Sequence, residues 1–195
     1  MVILFLDVDG VLNTTDTAAH ADSFFPAGYE GRMRANALLL ARSRLETFAA
    51  MVKATDASIV LSTSWRSDDI IARPALLAAL EEFHVASSRV LGVTPDSSRG
   101  APVREVSDGM FPGGTRVDEI LSWLDSQTES PARWLAIDDI DLASHAPPEL
   151  SEHFLLTDSA VGLTEELAAH VIAYCRSATK SDSETAGIGA HQDGR

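Results

Sequence analysis

Residues 1–13, MVILFLDVDGVLN, decide the fold. Val2–Leu6 is an unbroken apolar run that stops at a charge, the signature of a strand buried on both faces. Alternation along an extended chain sends Asp7 and Asp9 to the same side, so two carboxylates meet at the strand's end. Their repulsion there has to be relieved by a proton or a cation. Gly10 lets the backbone turn away sharply from the sheet. Turn formation alone is the plain alternative for these aspartates, but it does not explain why a carboxylate pair closes a buried strand.

Working outward, the next periodic stretch is 36–53, where Leu38, Leu45, Phe48 and Val52 recur at helical spacing between Arg42, Arg44 and Glu46. Ala57–Leu61 reads as a second buried strand and Pro74–Phe83 as a helix with proline in its opening turn. Arg89–Val93 is a weaker strand. The stretch 94–114 is rich in Pro, Gly and Ser and reads as a surface loop, after which Thr115 caps a helix facing inward with Val117, Ile120, Leu121 and Leu124. Trp134–Ile137 and Phe154–Leu156 are further strands. Thr164 opens the last helix, with Glu165 and Glu166 complementing its dipole and Leu167, Val171 and Tyr174 on one face. Alternating strands and helices imply an α/β fold: a three-layer, Rossmann-like parallel sheet of about five strands.

The chain has 195 residues, 45% hydrophobic and 23% charged, enough for one well-cored domain. That domain is expected over residues 1–176, and 177–195 (SATKSDSETAGIGAHQDGR), with little to bury, are expected to be disordered. No apolar run is long enough to cross a bilayer, and the N-terminus has no basic flank or cleavage-like segment, so a cytoplasmic protein without a membrane partner is expected. The single cysteine, Cys175, excludes an internal disulfide and reads as a core side chain. A net charge of −14 opposes strong non-specific nucleic-acid binding.

In open parallel sheets, ligands bind beyond the carboxyl ends of the strands. The first strand ends in Asp7 and Asp9, the second in Ser62-Thr63-Ser64-Trp65-Arg66, and the Trp134–Ile137 strand in Asp138-Asp139-Ile140-Asp141. Hydroxyls and backbone N–H groups in such a place can bind phosphoryl oxygens. The carboxylates are hard ligands of the kind Mg²⁺ takes, and no HxH or HExxH offers a zinc site. Taken singly, each residue has a structural reading: Thr63 satisfying its own backbone, Arg116 pairing with Glu119 or Glu105 on the surface, Asp138 or Asp139 capping a helix. Trp65 reads as packing beneath the loop rather than as a stacking face. Arg32, Arg34, Arg42 and Arg44 read as a solvated helix face.

DVDGVLN after a first strand resembles the opening motif of the haloacid dehalogenase (HAD) superfamily, with Thr63, Arg116 and Asp138-Asp139 in the order of its later motifs. IVLSTSWR (59–66), RVDEILSWL (116–124), WLAIDD (134–139) and TDSAVGLT (157–164) are similar to the HAD domain of Swiss Army Knife RNA repair proteins. The resemblance implies a Mg²⁺-dependent phosphatase. Asp7 would be the nucleophile and a metal ligand, and Asp9 the acid and base, with its backbone carbonyl on the metal. Thr63 would bind a phosphoryl oxygen, Arg116 would supply the cationic group, and Asp138 and Asp139 would bind Mg²⁺ directly and through water or as an orienting group. Ser62 can replace Thr63 if the strand ends one residue earlier, and Arg99 or Arg104 can replace Arg116.

Residues 14–29 and 94–114 are too short for a full cap domain, so a minimal cap made of two flaps is expected. An open site of that kind would admit a phosphorylated small molecule, a nucleotide or a nucleic-acid end. A phosphorelay receiver is the rival from another class, but its acidic pair and phosphorylated aspartate lie on different strands with a lysine on the last, and here Thr157-Asp158 stands there. A catalytically silent metal- and phosphate-binding module is the second alternative.

Overall fold

The computed structural model describes residues 1–15, 22–66, 71–101 and 112–185, without the side chains of 112–114 and 178–185. Its centre is a parallel sheet made of β1 (Val2–Leu6), β4 (Ser58–Leu61), β5 (Val90–Val93), β6 (Arg133–Asp138) and β7 (Phe154–Leu156). The strand order is β5-β4-β1-β6-β7, so β1 is central and its carboxyl end adjoins those of β4 and β6. Leu6 is in register with Leu61 on one side and Ile137 on the other. Asp7, one residue further, donates its N–H to the Ile137 carbonyl at 3.0 Å.

Alternation along the strands sorts the side chains into two cores. Leu4, Leu6, Ile59, Leu61, Leu135 and Ile137 face α2 (Arg42–Thr55), α3 (Ala72–Glu82) and α5 (Glu165–Thr185). Ile3, Phe5, Val60, Trp134 and Ala136 face α4 (Pro112–Asp125), where Phe5 meets Trp123 and Trp134 edge-on at 5.4 and 5.8 Å. Three layers result, as the alternating pattern predicts. Complete burial of Phe5 contributes on the order of 2–3 kcal/mol to the fold. The same parity carries Asp7 on β1 and Asp138 on β6 toward the α4 layer, which holds Arg116.

The helix expected over 36–53 begins only at Arg42. A short helix, α1 (Glu30–Ala35), ends at Asn36, Ala37 takes a left-handed φ of 53°, and the chain passes through β3 (Leu40–Ala41) before α2 starts at Arg42. β3 pairs antiparallel with β2 (Ser23–Phe24), and this interaction overrides the helical spacing that Leu38 shares with Leu45. Asp22 accepts bonds from the N–H and hydroxyl of Ser43 at 3.1 and 2.6 Å, thereby capping α2 from outside. Arg32, Arg34 and Arg42 are exposed, as a solvated face requires, but they lie on two helices rather than one: Arg32 and Arg34 on α1 against Tyr29 and Phe25, and Arg42 on α2 against Phe24 and Phe83.

α4 starts at Pro112, ahead of the expected cap Thr115, because proline is pre-organised for the first turn. α5 is capped by Thr164, whose hydroxyl accepts from Leu167 N–H at 3.2 Å. It continues beyond Arg176 to Thr185, through a stretch free of glycine and proline. The remainder of the tail, 186–195, lies outside the described residues, as do 16–21 and 102–111 of the two expected flaps. Cys175 is a buried core residue, and no described helix is long and apolar enough to cross a membrane.

Candidate active site

Beyond the carboxyl ends of β1, β4 and β6, the carboxylates of Asp7, Asp138 and Asp139 bring one oxygen each to within 4.8 Å of one another. Asp7 and Asp138 are 5% and 2% exposed, and Asp139 is half-buried. Gly10 is what lets Asp139 in. Its φ is +73°, and a Cβ placed there would stand 2.2 Å from the Asp139 carboxyl. The Thr157 hydroxyl, just past β7, donates to the Gly10 carbonyl at 2.8 Å and holds the turn down.

Arg116 is the cation of the site. One of its guanidinium nitrogens stands 2.9 Å from Asp138 Oδ2 and 3.5 Å from Asp7 Oδ2, and the same nitrogen donates to the Ser62 carbonyl. Arg99 pairs instead with Asp96 at 3.4 Å and is largely exposed, and Arg104 lies outside the described residues. Burial pushes the Asp7 carboxyl up to about 6, against the opposing pull of Arg116, a hydrogen bond from Thr63 and the Val8 N–H at 2.7 Å. Burial and then the Asp7 charge push Asp138 up to about 7, although Arg116 and the Ile140 N–H oppose it. Asp139 is raised as well, chiefly by burial.

Three carboxylates against one guanidinium leave a deficit of positive charge in a largely buried group, and every donor in it is a hard oxygen. That set fits a hard divalent cation and not zinc. The side chain of Asp9 is not part of it. Its Oδ1 and Oδ2 lie 3.1 and 3.0 Å from the Trp65 indole Nε1, Asn13 Nδ2 donates to Oδ1 at 2.8 Å, and Ser64 Oγ donates to Oδ2 at 3.2 Å. Alternation therefore brings Asp7 and Asp9 to one strand end but does not bring their carboxylates to one cation. Only the backbone carbonyl of Asp9 is left for the metal role that the resemblance assigns it.

Thr63 is fully buried, and its hydroxyl, which touches Asp7, also accepts from Trp65 N–H at 3.3 Å. The Ser62 hydroxyl is buried without a partner among the described residues. Trp65 packs in the core, as expected, yet its N–H reaches Asp9, and no sequence signal marks that contact. Glu119 does not pair with Arg116. It is buried, with Oε2 2.7 Å from Arg66 and Oε1 accepting from Ser97 N–H and Oγ at 3.0 and 2.8 Å.

In comparison with known proteins, the family model described as the HAD domain in Swiss Army Knife RNA repair proteins matches residues 3–168. No curated protein and no solved structure matches the chain.

Proposed function

This chain belongs to that HAD-domain family, and from this premise we propose that it is a Mg²⁺-dependent phosphomonoesterase that works through an aspartyl-phosphate on Asp7. The observation that carries the proposal is the placement of a buried carboxylate, Asp7, against both the Arg116 cation and two further carboxylates at the end of a central parallel strand.

Asp7, Asp138 and Asp139 would hold the cation together with the Asp9 carbonyl. When bound, Mg²⁺ supplies positive charge that lets an anionic carboxylate approach an anionic phosphate ester. An Asp7 oxygen attacks phosphorus as the bond to the leaving oxygen breaks. Asp9 protonates that oxygen, then takes a proton from the water that cleaves the acyl phosphate and frees Asp7. Thr63 donates to a phosphoryl oxygen, while Arg116, already fixed between the carboxylates, faces the charge that builds on the phosphoryl group.

The substrate is a phosphate monoester: a nucleotide, a nucleic-acid end or another phosphorylated molecule. The family's association with RNA repair favours a nucleic-acid end, whereas the net charge of −14 favours small esters. Hydrolysis of an aryl phosphate with and without Mg²⁺, using Asp7→Asn as control, tests the reaction. Turnover that needs both Mg²⁺ and Asp7 supports it; Mg²⁺ binding with no turnover of any phosphate ester favours the silent module.

A further inference from the structure

Both oxygens of the Asp9 carboxylate are engaged, and by donors from two separate segments. Asn13 belongs to the turn that follows β1, whereas Ser64 and Trp65 follow β4. The Trp65 ring is 3% exposed and seated in the core with Ala72, Leu76 and Leu61, so its N–H is aimed by packing rather than by a flexible chain. A buried indole N–H normally finds an acceptor, and a backbone carbonyl would have sufficed. Here the acceptor is a half-buried carboxylate two residues from Asp7, and the indole nitrogen is shared almost equally between its oxygens, at 3.0 and 3.1 Å.

We infer that Trp65 is a positioning residue for proton transfer: its indole N–H, assisted by Asn13 and Ser64, fixes the Asp9 carboxylate beside the reacting phosphate and apart from the Asp7, Asp138 and Asp139 group. The inference rests on the reading of Asp9 as acid and base. A fourth carboxylate left to swing freely would be drawn to the cation that the other three hold, and the leaving oxygen would lose its proton source. The donors act on Asp9 as the anion. That is its form once the proton has passed to the leaving oxygen as the P–O bond breaks, and the form that then takes a proton from the attacking water. A fixed carboxylate makes both transfers from one place.

Two measurements separate the hold from its consequence. The chain has three tryptophans, Trp65, Trp123 and Trp134, so their indole N–H resonances can be assigned one by one in a proton–nitrogen correlation spectrum. In Asp9→Asn the Trp65 resonance is expected to move while Trp123 and Trp134 stay in place; an unmoved Trp65 resonance would overturn the hold whatever the activity. The second measurement is turnover of Trp65→Phe, which keeps a ring in the core, on phosphate esters of graded leaving-group basicity. A good aryl leaving group needs no proton, whereas an alkoxide does. kcat is therefore expected to fall about tenfold or more on alkyl phosphates and by less than about threefold on nitrophenyl phosphate, with KM little changed, given that general acid catalysis is worth ~10²–10⁴-fold. Ser64→Ala, at an exposed side chain, is expected to shift the same ratio in the same direction by less. A uniform loss across all leaving groups in both variants would make Trp65 a structural residue and overturn the inference. A wild type inactive on every ester would contradict the proposed reaction, and the indole resonance would then decide the hold by itself.

Discussion

Arg116 stands between Asp138 and Asp7, 2.9 Å from one carboxylate and 3.5 Å from the other, through a single guanidinium nitrogen. That nitrogen's bond to the Ser62 carbonyl joins the ends of β4 and β6 and the start of α4 at one point. If the cation is there to offset charge on the phosphoryl group, Arg116→Ala should lower kcat by about 10²–10³, the scale for removing one preorganised charge donor. Arg116→Lys should recover part of this, as a point charge reaches fewer partners than a planar fork. Steady-state kinetics on an aryl phosphate measures both, and an alanine variant with unchanged kcat would remove Arg116 from the mechanism.

Asp7 at about 6 and Asp138 at about 7 lie above an unfolded carboxylate of about 3.9. Between roughly pH 4 and pH 7 the folded, metal-free protein therefore holds protons that the unfolded chain releases, so these two groups stabilise the fold less as pH rises through that window. Chemical denaturation in the presence of a chelator should show Asp138→Asn gaining stability relative to wild type from about pH 5 to about pH 7.5. Adding Mg²⁺ to wild type at the upper pH should reverse the deficit. A wild-type-to-variant difference that does not change with pH would contradict the buried, crowded carboxylates.

Gly10→Ala places a methyl group against the Asp139 carboxyl and forces a left-handed φ of +73° on a residue that resists it. Mg²⁺ affinity by calorimetry should drop at least tenfold, on the scale seen when groups that orient metal ligands are lost. The sheet itself should survive, because β1 ends at Leu6, ahead of this turn, although the flanking Val8 and Val11 are core residues. Undiminished Mg²⁺ affinity would show that Asp139 does not need its place beside Gly10.

Glu119→Ala leaves Arg66 buried with its principal partner gone, since the two side chains are 3% and 9% exposed. A loss of about 3–5 kcal/mol in urea unfolding is expected. A loss below about 1 kcal/mol would mean that water reaches Arg66 and the pair behaves as a surface one.

The sequence makes the sheet legible because a buried parallel strand has to be continuously apolar, and VILFL meets that rule up to Asp7. Asp138 and Arg116 could be placed at strand and helix ends for the same reason, and β1 and β6 parity turns both aspartates toward α4. The β2–β3 pair was not legible: two-residue strands carry no periodicity, and Leu38 continues a helical spacing across a turn. The indole–Asp9 contact and the Glu119–Arg66 pair were not legible either, as each joins residues more than fifty positions apart whose meeting depends on strand order alone. Glu119 looked like a surface partner for Arg116 because charge is normally solvated. Here the Ser97 turn and Arg66 enclose it.

The central claim is that Asp7 itself receives the phosphoryl group. Acid quenching during turnover of an aryl phosphate with Mg²⁺, followed by peptide mass spectrometry, reads this directly. The expected result is a phosphoryl-sized mass increase on the peptide that contains Asp7, present during turnover, lost once the substrate is exhausted, and absent from Asp7→Asn. Steady turnover by Asp7→Asn at the wild-type rate, or a phosphoryl group carried on any other residue, would contradict the account.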